Sequence, residues 1–344
     1  MKALRLNKWG TRAEIVETTR PEAGPGQVLI KIGGAGACHS DLHLMDWPEG
    51  LLPWKLPFTL GHENAGWIEE LGQGVTGWKK GDAVLVYGPW GCGRCRPCRL
   101  GRENYCENAA TIGASGGGLG LDGGMAEYML VPSTRLLVPL GDLDPAKAAP
   151  LTDAALTPYH AIAKSRDRLH PGSSTVVIGV GGLGQMAIQL LKATTGTRVI
   201  AVDNDDRKLE VARSLGADVV LRSDASAADA IRKASGPGAD LVLDVVGADA
   251  TLALGAKSLR AEGRLVILGL ASGTLPVSFF GLPYGAEVAT SYWGTVTELI
   301  ELVALARTGK IALDVERFRL DQAPEVYDRL RRGEIRGRAV IVPG

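Results

Sequence analysis

The chain has 344 residues, 45% hydrophobic and 22% charged, the composition of a soluble folded protein long enough for two cores. Its 38 Lys and Arg balance 38 Asp and Glu, which excludes a basic field for nucleic acid or anionic lipid. The opening MKALRLNKWG lacks the apolar run of a signal peptide, and the most apolar stretch, TVVIGVGGLGQMAIQLL, is interrupted by glycines and glutamines; the expectation is a cytoplasmic protein with no membrane segment.

The first 150 residues read as short strands and turns. VLIKIGGAG, AGWIEELG, DAVLVYG and MAEYMLVP are apolar or alternating runs, each bounded by Gly, Pro or Asp. Near Pro150 the character changes. APLTDAALTPYHAIAKS has helical spacing, and from Ser174 strands alternate with helices: STVVI, then LGQMAIQLLKATTG, RVIAVD, DDRKLEVARSLGA, DVVL, ASAADAIRKASG, ADLVLDVVG, ATLALGAKSLRAEG and RLVILGL. Val/Ile/Leu runs separated by helices predict a buried parallel sheet. VTELIELVALARTGKI predicts a helix, and the tail RFRLDQAPEVYDRLRRGEIRGRAVIVPG a strand, a helix and a strand that fold back on the first domain.

STVVI runs into Gly179, Val180, Gly181, Gly182, Leu183 and Gly184 and directly into a helix, and Asp203 follows Gly184 by nineteen residues at the end of the next strand. That context is what a dinucleotide fingerprint requires. The glycines allow a tight turn and close approach of a pyrophosphate to the helix N-terminus, where unpaired N–H groups and the dipole favour an anion. Asp203 can accept from the adenosine ribose hydroxyls, and its charge repels a 2′-phosphate. NAD is therefore expected over NADP, a preference that Arg207 and Lys208 close behind weaken.

Four of the five cysteines, Cys92, Cys95, Cys98 and Cys106, follow the pattern C-x2-C-x2-C-x7-C. In a reducing compartment such an arc predicts metal rather than disulfides. Four thiolates complete a tetrahedral zinc and leave no open position, so the site is structural. Cys38 stands far upstream in CHSDLH, and three of the five histidines, His39, His43 and His62, lie within 25 residues of it. Cys38, His62 and Asp153 are candidates for an S, N, O set around a second zinc with an open position.

CHSD, GHE, the four-cysteine arc and GVGGLG followed by Asp203 occur in the order of the zinc-dependent medium-chain alcohol dehydrogenases, which the whole chain resembles. YGPWGCG, PLTDAALTPYHA, SYWGT and IRGRAVIVPG are similar to the bacterial NAD-dependent secondary-alcohol dehydrogenases of that family. The resemblance implies a GroES-like catalytic domain over residues 1–155, completed by 296–344, and a doubly wound Rossmann domain over 156–295. It implies two zincs per chain and NAD(H). Cys38, His62 and Asp153 become the catalytic zinc ligands, with Glu63 able to enter the coordination shell and Asp41 fixing the tautomer of His62. Cofactor contacts fall on His39, Thr157, Gly179, Gly181, Gly182, Leu183, Gly184, Asp203, Lys208, Val246, Leu268, Gly269, Trp293 and Arg338, the last at the pyrophosphate.

The expected reaction moves a hydride between NAD(H) and a secondary alcohol or ketone, or a primary alcohol or aldehyde, through a zinc-bound alkoxide whose proton leaves through Ser40 to His43. Trp54, Leu119, Tyr292 and Trp293 would shape a bulky apolar pocket for medium apolar or aryl ketones, with the loop GASGGGLGLDGG near the substrate. LPVSFFGLPYGAEVATSYWG would carry a homodimer or homotetramer contact. A polyol or amino-alcohol dehydrogenase is the alternative within the superfamily and needs a more polar pocket; a non-catalytic NAD-binding sensor is the alternative outside enzymes and needs no open zinc site.

Overall fold

The computed structural model describes all 344 residues. The chain divides into two compact units, one of Met1–Asp153, Thr295–Gly309 and Leu313–Gly344, the other of Ala154–Gly294 and Lys310–Ala312.

The first unit is built on a seven-stranded sheet whose spatial order is Leu137–Pro139, Ala83–Val86, Glu63–Leu71, Val28–Gly36, Arg338–Val342 and Val315–Arg319, with Tyr128–Val131 also paired to Val28–Gly36. The C-terminal strand joins through antiparallel pairing of Val340 with Gly36 and Ile341 with Ala35. Val28, Leu29, Ile30, Ile68, Leu85 and Val340 are out of solvent at its core. A smaller sheet sets Lys2–Leu6 between Glu14–Glu17 and Phe58–Thr59. The helix Val296–Arg307 starts at a capping box: the Thr295 hydroxyl accepts from Glu298 N at 3.2 Å, and the Glu298 carboxylate accepts from Thr295 N at 2.7 Å.

The second unit is a six-stranded sheet, ordered Val219–Arg222, Arg198–Asp203, Ser174–Ile178, Ala239–Asp244, Leu259–Ile267, Glu287–Thr290, with every pair parallel. Numbered along the chain within the unit this is 3-2-1-4-5-6, the doubly wound order. Val176, Ile178, Ile200, Val202, Val242 and Leu265 form its core, which is why those strands read as unbroken aliphatic runs.

Two local differences from the sequence reading have physical causes. ATLALGAKSLRAEG reads as one helix, but the helix is Asp249–Ser258, and Leu259 already pairs with Ala239 at the start of the next strand. Glu262 takes a φ of 62° within that strand, and the ladder shifts register between the Ala239 and Leu241 pairs; burial of Leu259 in the sheet core outweighs helix propensity. In APLTDAALTPYHAIAKS the helical spacing conceals a break: a 3-10 turn covers Ala149–Thr152, the α-helix begins at Leu156, and Asp153 between them has φ −141° and ψ −60°.

Candidate active site

Three different devices aim three side chains at one point of the first unit. Cys38 leaves the strand Val28–Gly36 and caps the helix His39–Asp46, with its backbone N–H donating to Asp41 Oδ2 at 3.0 Å. His62 precedes the strand Glu63–Leu71 and follows Gly61, whose φ of +93° only glycine adopts cheaply. Asp153 projects from the helix break. Asp153 Oδ2 stands 3.7 Å from Cys38 Sγ and 3.6 Å from His62 Nε2, and all three donor atoms lie within 4.8 Å of one another.

Those separations suit a metal. Ligands at about 2.0–2.3 Å on a tetrahedral zinc are roughly 3.3–3.8 Å apart, and one thiolate, one imidazole and one carboxylate match zinc's borderline softness. Electrostatics agree. Burial pushes the His62 pKa down, but Asp41, Asp153 and Cys38 together raise it well above the ordinary histidine value, so the site is built to hold positive charge. His62 Nδ1 stands 3.0 Å from Asp41 Oδ1, which leaves Nε2 to the metal side.

Glu63 is fully buried and gripped by Arg338, whose Nε donates to Oε2 at 2.9 Å and Nη2 to Oε1 at 2.6 Å. Burial raises the Glu63 pKa and Arg338 opposes the rise. The resemblance sends Arg338 to the pyrophosphate and Glu63 toward the metal. Here the two hold each other, and the guanidinium also lies 3.9 Å from Asp153 Oδ2, as a counter-charge behind the ligand set.

Ser40 Oγ lies 3.6 Å from Cys38 Sγ. His43 is one helical turn on, half-buried and stacked on Trp47 with centroids 6.0 Å apart. Leu119 is buried; Trp54, half-buried, meets Phe58 edge-on at 6.2 Å, and a Cβ on Gly120 would come 2.9 Å from Trp54 Cγ. The glycine-rich loop is close-packed. A Cβ at Gly118 would meet Gly61 C at 2.5 Å and His62 N at 2.8 Å, so the loop presses on the backbone that presents His62.

The arc of four thiols is a separate site in the same unit. Cys95 Sγ lies 3.4 Å from Cys98 Sγ and 3.9 Å from Cys106 Sγ, and Cys92 Sγ lies 4.0 Å from Cys98 Sγ. Zinc–sulfur bonds of about 2.3 Å set such edges near 3.8 Å. Backbone N–H groups of Cys95 and Asn108 donate to Cys92 and Cys106, and Asn108 Nδ2 donates to Cys92 at 3.3 Å. The N–H groups of Arg94, Asn108 and Cys95 bring the Cys92 thiol down to about 5, while burial pushes Cys98 up. Glu103 and Arg135, which the sequence reading missed, hold this lobe: Glu103 accepts from Gly91 N at 2.7 Å and pairs with Arg135, which donates to Gly91 O at 2.8 Å.

In the second unit the strand Ser174–Ile178 ends in Gly179, and Gly181 caps the helix Gly182–Thr194. A Cβ on Gly184 would collide with the Gly179 carbonyl, which fixes how closely helix and turn approach. A Cβ at Gly181 would meet nothing within 4 Å beyond its own chain neighbours, which is open space a phosphate could use. Asp203 Oδ2 accepts from Val180 N at 2.7 Å and Oδ1 from Asp205 N at 3.0 Å, each oxygen keeping a lone pair. Val246, Leu268 and Gly269 collect at the carboxyl ends of neighbouring strands, where Asp244 accepts from Val246 N at 2.9 Å and Gly247 N at 3.0 Å. Arg207 is tied to Asp205 by a 2.7 Å pair beside Lys208. Thr157 lies buried on the helix Leu156–Ala163, Trp293 is buried with φ 52°, and Tyr292 is exposed; His39, in the first unit, is exposed at the helix start.

Sequence reasoning also missed Tyr327. It lies buried on the helix Ala323–Arg331 and donates its hydroxyl to Asp41 Oδ2 at 2.7 Å. Burial and the Asp41 charge hold this phenol well above the ordinary tyrosine value, so it remains a donor. Its helix reads as an ordinary apolar face, and no local pattern marks the hydroxyl.

Comparison with known proteins agrees with this geometry. Residues 24–142 match the alcohol dehydrogenase GroES-like domain and residues 182–308 the zinc-binding dehydrogenase domain. An NAD-dependent alcohol dehydrogenase of Sulfurisphaera tokodaii is 38% identical over all of both chains. The solved alcohol dehydrogenase of Aeropyrum pernix has a TM-score of 0.92 at 38% identity, with both chains fully covered. Acetophenone reductase of Geotrichum candidum, solved with NAD, has a TM-score of 0.87 at 32% identity over 99% of this chain and 96% of that one.

Proposed function

The chain belongs to the zinc-dependent medium-chain alcohol dehydrogenases, and within that family we propose how its own residues divide the work. It is an NAD-dependent enzyme that interconverts alcohols with ketones or aldehydes. The observation that carries the residue assignment is the meeting of Cys38, His62 and Asp153 within 4.8 Å. These three hold the catalytic zinc, and Cys92, Cys95, Cys98 and Cys106 the structural one. When bound, zinc supplies Lewis acidity toward a hydroxyl or carbonyl oxygen and NAD(H) accepts or supplies the hydride.

Asp41 orients His62. Arg338 neutralises Glu63 and sets a positive charge beside Asp153, which limits the negative charge gathered by the ligand set. Ser40, next to the thiolate, carries the substrate proton outward to the neutral imidazole of His43. Gly181 and the N–H groups opening the helix Gly182–Thr194 bind the pyrophosphate, and Asp203 binds the ribose hydroxyls.

Trp54 and Leu119 favour a medium apolar or aryl substrate over ethanol, a reading supported by the aromatic edge between Trp54 and Phe58 and by the likeness to an acetophenone reductase. A homodimer or homotetramer is supported by the exposed Val277, Phe279, Phe280 and Tyr284 near the edge strand Glu287–Thr290. No helix is long and apolar enough to cross a membrane. Balanced charge speaks against nucleic acid, and five thiols outside any disulfide fit the cytoplasm.

The test is Asp153→Ala. Purified wild type should carry two zincs per chain and oxidise NADH with acetophenone-type ketones. The variant should carry one zinc, bind NADH normally by fluorescence and turn over at least about 1000-fold more slowly. Wild-type turnover after complete metal removal would falsify the assignment.

A further inference from the structure

Asp41 lies wholly out of solvent, where each carboxylate oxygen needs donors. Two of them converge on Oδ2: the Cys38 backbone N–H at 3.0 Å and the Tyr327 hydroxyl at 2.7 Å. They come from opposite ends of the chain. With Oδ2 held from two directions, the other oxygen faces His62 Nδ1 at 3.0 Å. The torsion that turns a carboxylate about its last bond is broad, so a single anchor would not fix that orientation. Met125 Sδ lies 3.0 Å from the same hydroxyl, but the one phenolic proton goes to the carboxylate, a stronger acceptor than a thioether. The helix carrying Tyr327 is itself fixed, by its buried face of Ala323, Val326 and Leu330 and by Arg331, which pairs with Asp46 at 2.6 and 2.9 Å.

We propose that Tyr327 is a positioning residue for the catalytic metal site: its hydroxyl clamps Asp41, and Asp41 in turn holds the His62 ring with Nε2 turned to the metal. The proposal rests on the reading of Cys38, His62 and Asp153 as zinc ligands. It couples the C-terminal helix to a site whose ligands all lie within the first 153 residues. Removing the hydroxyl leaves every ligand in place but loosens one of them, which should appear first in how long the zinc stays bound.

The experiment follows zinc release from the full-length holoenzyme into an excess of a colorimetric chelator, after counting zinc per chain. Tyr327→Phe should release one of its two zincs about tenfold faster than wild type and the other at the wild-type rate. Val326→Ala, which weakens the same helix without touching the hydroxyl, should lower the melting temperature at least as much and leave both rates unchanged. In an Asp41→Asn background, Tyr327→Phe should add less than about twofold, because both changes break the same link. Unchanged release in Tyr327→Phe overturns the proposal, as does equal acceleration of both zincs or a full tenfold effect added to Asp41→Asn. Should Tyr327→Phe fail to fold, Tyr327→Gln retains an N–H donor: wild-type release supports the proposal and release as fast as in Asp41→Asn overturns it. Fewer than two zincs in the wild type would instead sink the ligand assignment beneath it.

Discussion

His43 shows how neighbours tune an imidazole. Burial against Trp47 lowers its pKa, Asp46 pulls it upward, and Arg331, paired with Asp46, pushes it down again, with a net value below 6.5. The imidazole is neutral at pH 7 and stays a base to a lower pH than an exposed histidine would. His43→Ala should slow alcohol oxidation roughly tenfold near neutral pH, with recovery in imidazole buffer; an unchanged pH–rate profile would remove His43 from the proton path. The same shift has a stability consequence. A histidine whose folded pKa is depressed costs stability when it must be protonated, so this contribution is absent above about pH 6.5 and grows as pH falls below it. In His43→Gln the melting temperature should therefore fall less between pH 7 and pH 5 than in the wild type.

At the scale of elements, the four-cysteine lobe is short loops and two helical turns, Arg96–Arg99 and Glu103–Tyr105, around four thiols suited to a metal. Among the contacts that tie it to the rest of the unit are Glu103, buried and accepting from Gly91 N, and the partly exposed Arg135. Because Arg135 is about a third exposed, its pairing is screened, and Arg135→Ala should cost about 1–2 kcal/mol. Glu103→Ala, which strands the Gly91 N–H, should cost more, about 2–3 kcal/mol. Both would be read by chemical denaturation at fixed zinc, with activity retained at low temperature. Glu103→Ala as stable as wild type would show that the metal alone orders the lobe. The glycine-rich loop teaches the opposite lesson about appearance. Its sequence looks like a flexible linker, yet Gly118 and Gly124 are packed where a side chain would strike Gly61, His62 or Asn64.

For the whole molecule, the largest exposed apolar group lies in the second unit, with Phe279 at 75% and Phe280 at 87% exposure beside an edge strand. A patch of that kind next to unpaired strand groups is where the proposed subunit contact is tested. Phe280→Lys should shift the sedimenting species toward monomer at micromolar concentration while leaving zinc content at two per chain. Wild-type mass in that variant would place the subunit contact elsewhere.

The sequence by itself determined the doubly wound sheet and the dinucleotide turn, because aliphatic strand runs, glycines and Asp203 act over short stretches of chain. It also determined the closed thiol site, whose four ligands fit in one arc. The identity of the open-site ligands came from residue chemistry and family likeness together, since Cys38 and Asp153 are 115 positions apart and no local periodicity links them. Only the tertiary structure decided that Asp153 sits at a helix break, that Arg338 grips Glu63, and that a tyrosine near the C-terminus reaches Asp41. Those contacts depend on backbone paths that strand pairing and core burial bring together, and a buried hydroxyl or guanidinium in one segment carries no mark of the partner that the fold will deliver to it.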